Sequence, residues 1–147
     1  FWIWDGAMAN VDGSGKDGAE IDIFESPFYS NKKERNSVSS AIHYDGYGEA
    51  HKSKTVHQTF VTQNDPYEEF NTYGLEWTEN EYIFYINGIE VGRSSFGGVS
   101  QIKEHILLSV EVGGADGVPA DDWAGPSIET NTEPPTDFIV DYVRVYR

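Results

Sequence analysis

The chain has 147 residues and a formal net charge of −15, with 10 Lys and Arg against 25 Asp and Glu. Such a charge repels a phosphate backbone and an anionic bilayer, so neither nucleic acid nor a membrane surface is an expected partner. The absence of cysteine excludes thiol catalysis and Cys-ligated zinc, and a chain of this length forms one domain at most, without needing disulfides.

Strand-like segments recur along the chain and predict an all-β fold. The first run, Phe1-Trp-Ile-Trp4, is apolar and aromatic, and Glu20–Glu25 alternates polar and apolar residues. Further β-branched and aromatic runs, bounded by turn residues, predict strands at Ser37–Tyr44, 56–62, 70–78, 105–112 and 138–146. A single short helical turn is expected, at residues 65–70 or 99–104.

The strongest turn signal is Asn87-Gly88, between the apolar-rich arms of a segment at residues 81–92. Asn-Gly favours a type I′ turn because both central residues take positive φ, so this segment is predicted to form a β-hairpin. The short spacing between strands, with Gly and Pro in the connections, predicts an antiparallel β-sandwich or jelly roll.

Three carboxyl groups occur in the strand at Glu20–Glu25. Glu20 and Asp22 are two residues apart and share a face, whereas regular alternation turns Glu25 to the opposite face. One extra residue, accommodated as a β-bulge, returns Glu25 to the side of the other two acids and leaves the isoleucines between them for the core. The like charges then raise at least one carboxyl pKa, as proton transfer near neutral pH requires. The alternative interpretation is an exposed strand face with solvated acids.

The four histidines do not have the spacing of a compact zinc site, so they are expected at the surface or in a cleft. They are His43, His51, His57 and His105.

At Glu20-Ile-Asp22-Ile-Phe-Glu25 the sequence resembles the E-x-D-x-x-E signature of glycoside hydrolase family 16, in the six-residue form typical of its laminarinase-like branch. Residues 1–4, 70–88 and 140–146 resemble three further motifs of the family, in the same order. The resemblance implies a concanavalin-like β-sandwich, of which residues 1–147 are the C-terminal portion. An N-terminal segment, or a partner chain, would then cover strand edges left exposed at residues 1–4 and 138–146.

The resemblance also implies roles for the three acids: Glu20 as nucleophile, Asp22 as assisting carboxylate and Glu25 as acid/base. A retaining glycosidase uses two carboxyls about 5–5.5 Å apart, one ionised to attack the anomeric carbon and one protonated to release the leaving oxygen. We expect Asp22 to help Glu25 keep its proton.

Further residues are expected to contact substrate or metal. The candidate substrate-binding residues are Trp4, His43, Tyr44, Glu111 and Trp123. Trp4 and Trp123 could stack on sugar rings, although burial in the sandwich core is an equally good interpretation of each. The resemblance implies no required cofactor, and Asp141 matches a position that holds structural calcium in several relatives.

The expected function is that of a secreted, extracellular retaining endo-β-glycanase acting on β-1,3- or mixed-linkage β-1,3-1,4-glucan. Two alternatives stay open from the sequence. One is an endo-β-galactosidase or agarase-type galactan hydrolase, and the other is a non-catalytic carbohydrate-binding jelly roll. The retained acids Glu20, Asp22 and Glu25 disfavour the second alternative, because a lectin has no need of them.

Overall fold

The computed structural model describes residues 1–26, 37–61, 63–111, 114–115, 118–119 and 137–147. The chain divides into two compact units, Phe1–Ser109 and Val110–Arg147. Among the described residues every regular element is a strand, except one 3-10 helix at Gly6–Ala9. None of the described helical residues forms a helix long and apolar enough to cross a membrane. The predicted all-β class is confirmed.

The described part of the first unit contains two antiparallel sheets. The larger sheet has five strands in the order β4-β3-β2-β1-β8, and the smaller has three in the order β5-β6-β7. The strands are β1 (Trp2–Trp4), β2 (Glu20–Glu25), β3 (Ser37–Tyr44), β4 (Lys52–Val61), β5 (Tyr73–Trp77), β6 (Tyr82–Ile86), β7 (Ile89–Ser94) and β8 (His105–Leu107).

The core of the first unit lies between these two sheets. Ile3, Ile21 and Ile42 are register partners across β1, β2 and β3, so their side chains share one face of the larger sheet. They cluster with Tyr82 and Phe84 from the smaller sheet, and all five are buried. Burial of each such side chain contributes roughly 1.5–3 kcal/mol. The isoleucines therefore anchor one face of the larger sheet in the core and leave its other face for polar side chains.

The predicted β-bulge is present in β2. Asp22 is the register partner of Ala41 and Glu25 of Ser39, so three steps along β2 match two steps along β3. On the β1 side, the amides of the two intervening residues, Ile23 and Phe24, both donate to the carbonyl of Phe1, at 2.9 and 3.0 Å. Two donors on one acceptor indicate that β2 carries one extra residue.

The hairpin and most predicted strands are confirmed. Asn87 and Gly88 take φ of 51° and 76°, as a type I′ turn requires, and they join β6 to β7. Strands β2 and β3 have the predicted bounds. Strand β4 begins earlier than the predicted residue 56, and β5 and β8 are shorter than predicted. At residues 65–70 the amide of Glu69 donates to the carbonyl of Asp65, four residues earlier, which makes a single turn as expected. The 3-10 helix at Gly6–Ala9 was not predicted.

The expected strand edge at residues 1–4 is wrong, and so is the expected strand at residues 138–146, although the apolar side chains of that segment are exposed as predicted. Strand β1 is not an edge, because β8 pairs with it on the side opposite β2. Residues 138–146 form no strand; they lie in the second unit, where the described strands are β9 (Gly114–Ala115) and β10 (Val118–Pro119), paired with each other. The alternating pattern at 138–146 was insufficient because a strand needs a paired neighbour for its backbone hydrogen bonds.

Candidate active site

The face of the larger sheet that lies opposite the isoleucines carries the acidic residues. Trp4, Glu20 and His43 are register partners across β1, β2 and β3, and so are Trp2, Asp22 and Ala41. Cross-strand partners project from the same side of a sheet. Two tryptophans, two acids and a histidine therefore share one surface, which we call the acidic face.

The bulge brings Glu25 to the acidic face. Its partner Ser39 lies two residues from Ala41, the partner of Asp22, and alternate residues of β3 project to the same side. The register therefore places Glu20, Asp22 and Glu25 together, as the spacing predicted. This is the arrangement that proton transfer and nucleophilic attack on one substrate require.

Glu20 receives a hydrogen bond from the hydroxyl of Tyr47, which lies in the connection between β3 and β4. Burial, and then the negative charge of Asp22, raise the pKa of Glu20, while the Tyr47 hydrogen bond and nearby His43 lower it. The expected rise in one carboxyl pKa is thus found at Glu20. Burial and the carboxylate of Glu20 in turn raise the pKa of Tyr47, so its hydroxyl keeps its proton and remains a donor.

His43 links Asp22 to a second histidine. Its Nε2 lies 3.3 Å from Oδ2 of Asp22, and its Nδ1 lies 2.9 Å from Nε2 of His51. The two rings stack, with centroids 5.1 Å apart and planes 14° apart. Burial lowers the pKa of His43, but the hydrogen bond to Asp22 and the surrounding acids outweigh it, so the pKa is raised. Burial and the charge of His43 lower the pKa of His51.

A second polar chain lies beneath the bulge. The hydroxyl of Ser40 donates to the carbonyl of Ile23, at 2.8 Å, and its Oγ lies 3.0 Å from Nε2 of His57. Ser40 is fully buried, and burial lowers the pKa of His57. Ser40 was not predicted from the sequence to belong to the site, and His57 was expected only at the surface or in a cleft.

The candidate substrate-binding residues lie in different places. Trp4 is half-buried on the acidic face beside Glu20. Tyr44 is buried, packs on Phe96 and alternates to the side opposite His43, so the geometry does not support its predicted contact with substrate. Glu111 is exposed in the second unit, and Trp123 lies outside the described residues.

Only one group of described residues has the donor atoms and spacing to hold a metal ion. It is Glu20, Asp22 and His43, whose candidate donor atoms lie within 4.8 Å of one another. These are the same side chains that the acid–base chemistry needs. Asp141 is exposed and belongs to no such group among the described residues, so the calcium site expected there stays a prediction.

Comparison with known proteins agrees with the geometry of the acidic face. Residues 4–132 match the family model of the glycosyl hydrolases family 16. The chain belongs to this family. The resemblance drawn from the signature at Glu20–Glu25 is therefore confirmed.

Two curated relatives come from Rhizobium meliloti. The chain is 26% identical over 127 residues to the endo-1,3-1,4-beta-glycanase ExsH, covering 86% of this chain and 23% of that protein. It is 23% identical over 146 residues to the endo-1,3-1,4-beta-glycanase EglC, covering 99% of this chain and 26% of that protein. The chain thus spans about a quarter of the length of the curated relatives it matches. No solved structure gives a significant match.

Proposed function

We propose that the protein containing this chain is a retaining endo-β-glycanase that hydrolyses β-1,3- or mixed-linkage β-1,3-1,4-glucan. The observation that carries the proposal is the bulge in β2, which puts Glu20, Asp22 and Glu25 on one face of the sheet. Membership of a family of glycosyl hydrolases gives those three carboxyls a substrate class.

The proposed reaction has two displacements. In the first, the Glu20 carboxylate attacks the anomeric carbon, the glycosidic C–O bond breaks, and Glu25 gives its proton to the leaving oxygen. In the second, Glu25 takes a proton from water, the water oxygen attacks the same carbon, and the bond to Glu20 breaks. Both carboxyls return to their starting states, and the anomeric configuration is retained.

The neighbours of Glu20 fit its role as nucleophile. Attack requires the ionised carboxylate, whereas burial and Asp22 favour the protonated form. The hydrogen bond from Tyr47 and the proximity of His43 act in the opposite direction. These two side chains support the ionised state that the first step needs.

The aromatic residues of β1 support a carbohydrate substrate. Trp2 and Trp4 lie on the acidic face, with ring centroids 6.4 Å apart, next to Asp22 and Glu20 along the register. Such rings offer flat apolar surfaces to the faces of sugars. The 1,3-1,4-β linkage is supported by the names of the two relatives, which are called endo-1,3-1,4-beta-glycanases. A polysaccharide substrate supports an extracellular place of action because a polymer does not cross a membrane.

The test is hydrolysis by the whole protein of laminarin, lichenan and agarose, with release of reducing ends and the anomeric configuration of the first product followed by NMR. We expect release from laminarin or lichenan with retained configuration, and loss of release in Glu20→Gln. Glu79→Gln, an exposed acid at the turn between β5 and β6, is the matched control. Release from agarose alone would favour a galactan hydrolase, and binding without release would favour a carbohydrate-binding module.

A further inference from the structure

Irregularities in β2 and β4 meet at Ser40 of β3, the strand between them. On one side β2 carries its extra residue between Asp22 and Glu25. On the other side Ser40 is the register partner of His57, and β4 carries an extra residue both before and after this pair. The bulge that turns Glu25 to the acidic face therefore adjoins a second distortion of the sheet, with Ser40 between them.

Ser40 satisfies a backbone group of the bulge. A bulge interrupts the ladder, so a carbonyl within it needs another donor when it is buried. The Ser40 hydroxyl donates to the carbonyl of Ile23, which lies inside the bulge, and both residues are buried. Loss of that donor would leave the carbonyl without its hydrogen bond and reduce the preference for the bulged register.

The direction of the hydrogen bond from Ser40 to Ile23 determines which atom donates in the contact between Ser40 and His57. A serine hydroxyl has one proton, and here the carbonyl of Ile23 accepts it. The contact of 3.0 Å between Ser40 Oγ and His57 Nε2 is then a hydrogen bond in which Nε2–H donates. His57 therefore carries a proton on Nε2, and its ring holds Ser40 in the rotamer that reaches Ile23.

We propose that Ser40 and His57 are a positioning pair that fixes the bulge of β2 and thereby aims the Glu25 carboxyl at the glycosidic oxygen. Neither residue touches substrate. The proposal rests on the proposed function, because it concerns the acid/base role of Glu25. A one-residue slip that removed the bulge would turn Glu25 to the core side of the sheet, where it could not protonate a leaving group.

The test compares two substrates that differ in their need for an acid. Polysaccharide cleavage needs a proton on the leaving oxygen, whereas departure of dinitrophenolate from an oligoglucan dinitrophenyl glycoside does not. In Ser40→Ala and His57→Phe we expect kcat/KM for the polysaccharide to fall by about 10–100-fold and that for the aryl glycoside by less than about threefold. Variants that keep a donor, Ser40→Thr and His57→Gln, are expected to recover most of the polysaccharide activity.

Ser94→Ala is the control, because Ser94 is also buried and accepts a hydrogen bond from a backbone amide, but lies on β7 in the other sheet. An equal fall on both substrates in Ser40→Ala would indicate general damage and overturn the proposal, as would no fall on either. If Ser40→Ala fails to fold, His57→Phe is compared with His57→Gln instead. A fall in kcat/KM confined to the polysaccharide and to His57→Phe would support the proposal, and an equal fall on both substrates would overturn it.

A measurement independent of activity separates this proposal from the proposed function. Amide exchange of Phe24, followed by NMR, should accelerate in Ser40→Ala, and 15N shifts of His57 should show the proton on Nε2. Unchanged exchange or a proton absent from Nε2 would overturn the positioning pair even in an active enzyme. A wild-type protein inactive on both substrates would overturn the proposed function, while the exchange data would still decide whether the pair holds the bulge.

Discussion

The hydroxyl of Tyr47 donates a hydrogen bond to Oε2 of Glu20 across a separation of 27 residues in sequence. Tyr47 follows Asp45 and Gly46, which take φ of 63° and 68°, so the backbone after β3 turns sharply and brings the ring back over the acidic face. The proposed nucleophile is thus held by a loop residue as well as by its own strand.

Removal of that hydroxyl should shift the pH dependence of catalysis. In Tyr47→Phe, Glu20 loses a hydrogen bond that favours its ionised form, so its pKa, already raised by burial and Asp22, rises further. We expect the acid limb of the kcat/KM profile to move to higher pH, with a larger fall in activity at pH 5 than at pH 7. A profile that keeps its acid limb would show that Tyr47 does not support the carboxylate.

Glu20→Gln should stabilise the fold near neutral pH while it abolishes activity. The folded-state pKa of Glu20 is raised above 4.5, so the stability that its protonated form contributes is present below 4.5 and is lost as pH rises through the folded pKa. Glutamine does not titrate and avoids this loss. We expect a higher melting temperature than wild type at pH 7 and a difference that shrinks towards pH 4. If the variant melted at the same temperature as wild type at pH 7, the raised pKa of Glu20 would be contradicted.

His43 and His51 should affect stability with opposite pH dependence. The pKa of His43 is raised, so its contribution is fully present below 6.5 and is lost as pH rises through the folded value. The pKa of His51 is lowered, so folding favours its neutral ring, and its contribution is lost as pH falls through the folded value. In urea unfolding, His43→Gln should therefore lower the free energy of unfolding more at pH 6 than at pH 9. His51→Gln should lower it less at pH 6 than at pH 9. The same trend in both variants would contradict the assignment.

The roles of the two glutamates should separate on addition of azide. Glu25→Ala should lose about 10²–10⁴-fold in activity on polysaccharide. On the dinitrophenyl glycoside, which needs no acid, azide should raise its turnover and give a glycosyl azide of retained configuration, because a small anion can attack the glycosyl-enzyme without a general base. Glu20→Gln should give no such product. Product NMR identifies the configuration, and rescue of Glu20→Gln with retention would reverse the two assignments.

Deletion of Phe24 tests the need for the bulge. The deletion restores plain alternation along β2, but it also removes the stacking of Phe24 on Tyr73, whose ring centroids lie 4.0 Å apart. Phe24→Ala, which keeps the extra residue and loses the ring, is therefore the control. We expect the deletion to lower kcat/KM on polysaccharide by at least tenfold more than Phe24→Ala does. Equal activities would show that the bulge is not needed to place Glu25.

The sequence was sufficient to predict strand β2 and the face that its acids share, because the information needed for both is local. The spacing of Glu20, Asp22 and Glu25 predicted a bulge, and the two isoleucines between them gave the core side of the strand. The Asn87-Gly88 hairpin was equally predictable, since the dipeptide itself requires positive φ.

Contacts made by loops and by neighbouring strands were not predictable in this way. Nothing in the spacing of Tyr47 or His51 indicates where the connection after β3 folds back. The pairing of Ser40 with His57 depends on a register set by two extra residues in β4. Tyr44 is different, because alternation from His43 was already a signal that its ring lies on the opposite face.

The position of β1 between β2 and β8 has a consequence for how the protein is made. Trp4 pairs with His105, so the sheet beneath the acids closes only when segments from opposite ends of the first unit meet. At about 5–20 residues per second, a ribosome needs on the order of 5–20 s to synthesise the intervening chain. Throughout that interval β1, the neighbour of β2, lacks its other partner β8, and such non-local pairing forms slowly. A chaperone that shields β1 during synthesis would therefore raise the yield of folded protein more than one that acts after release.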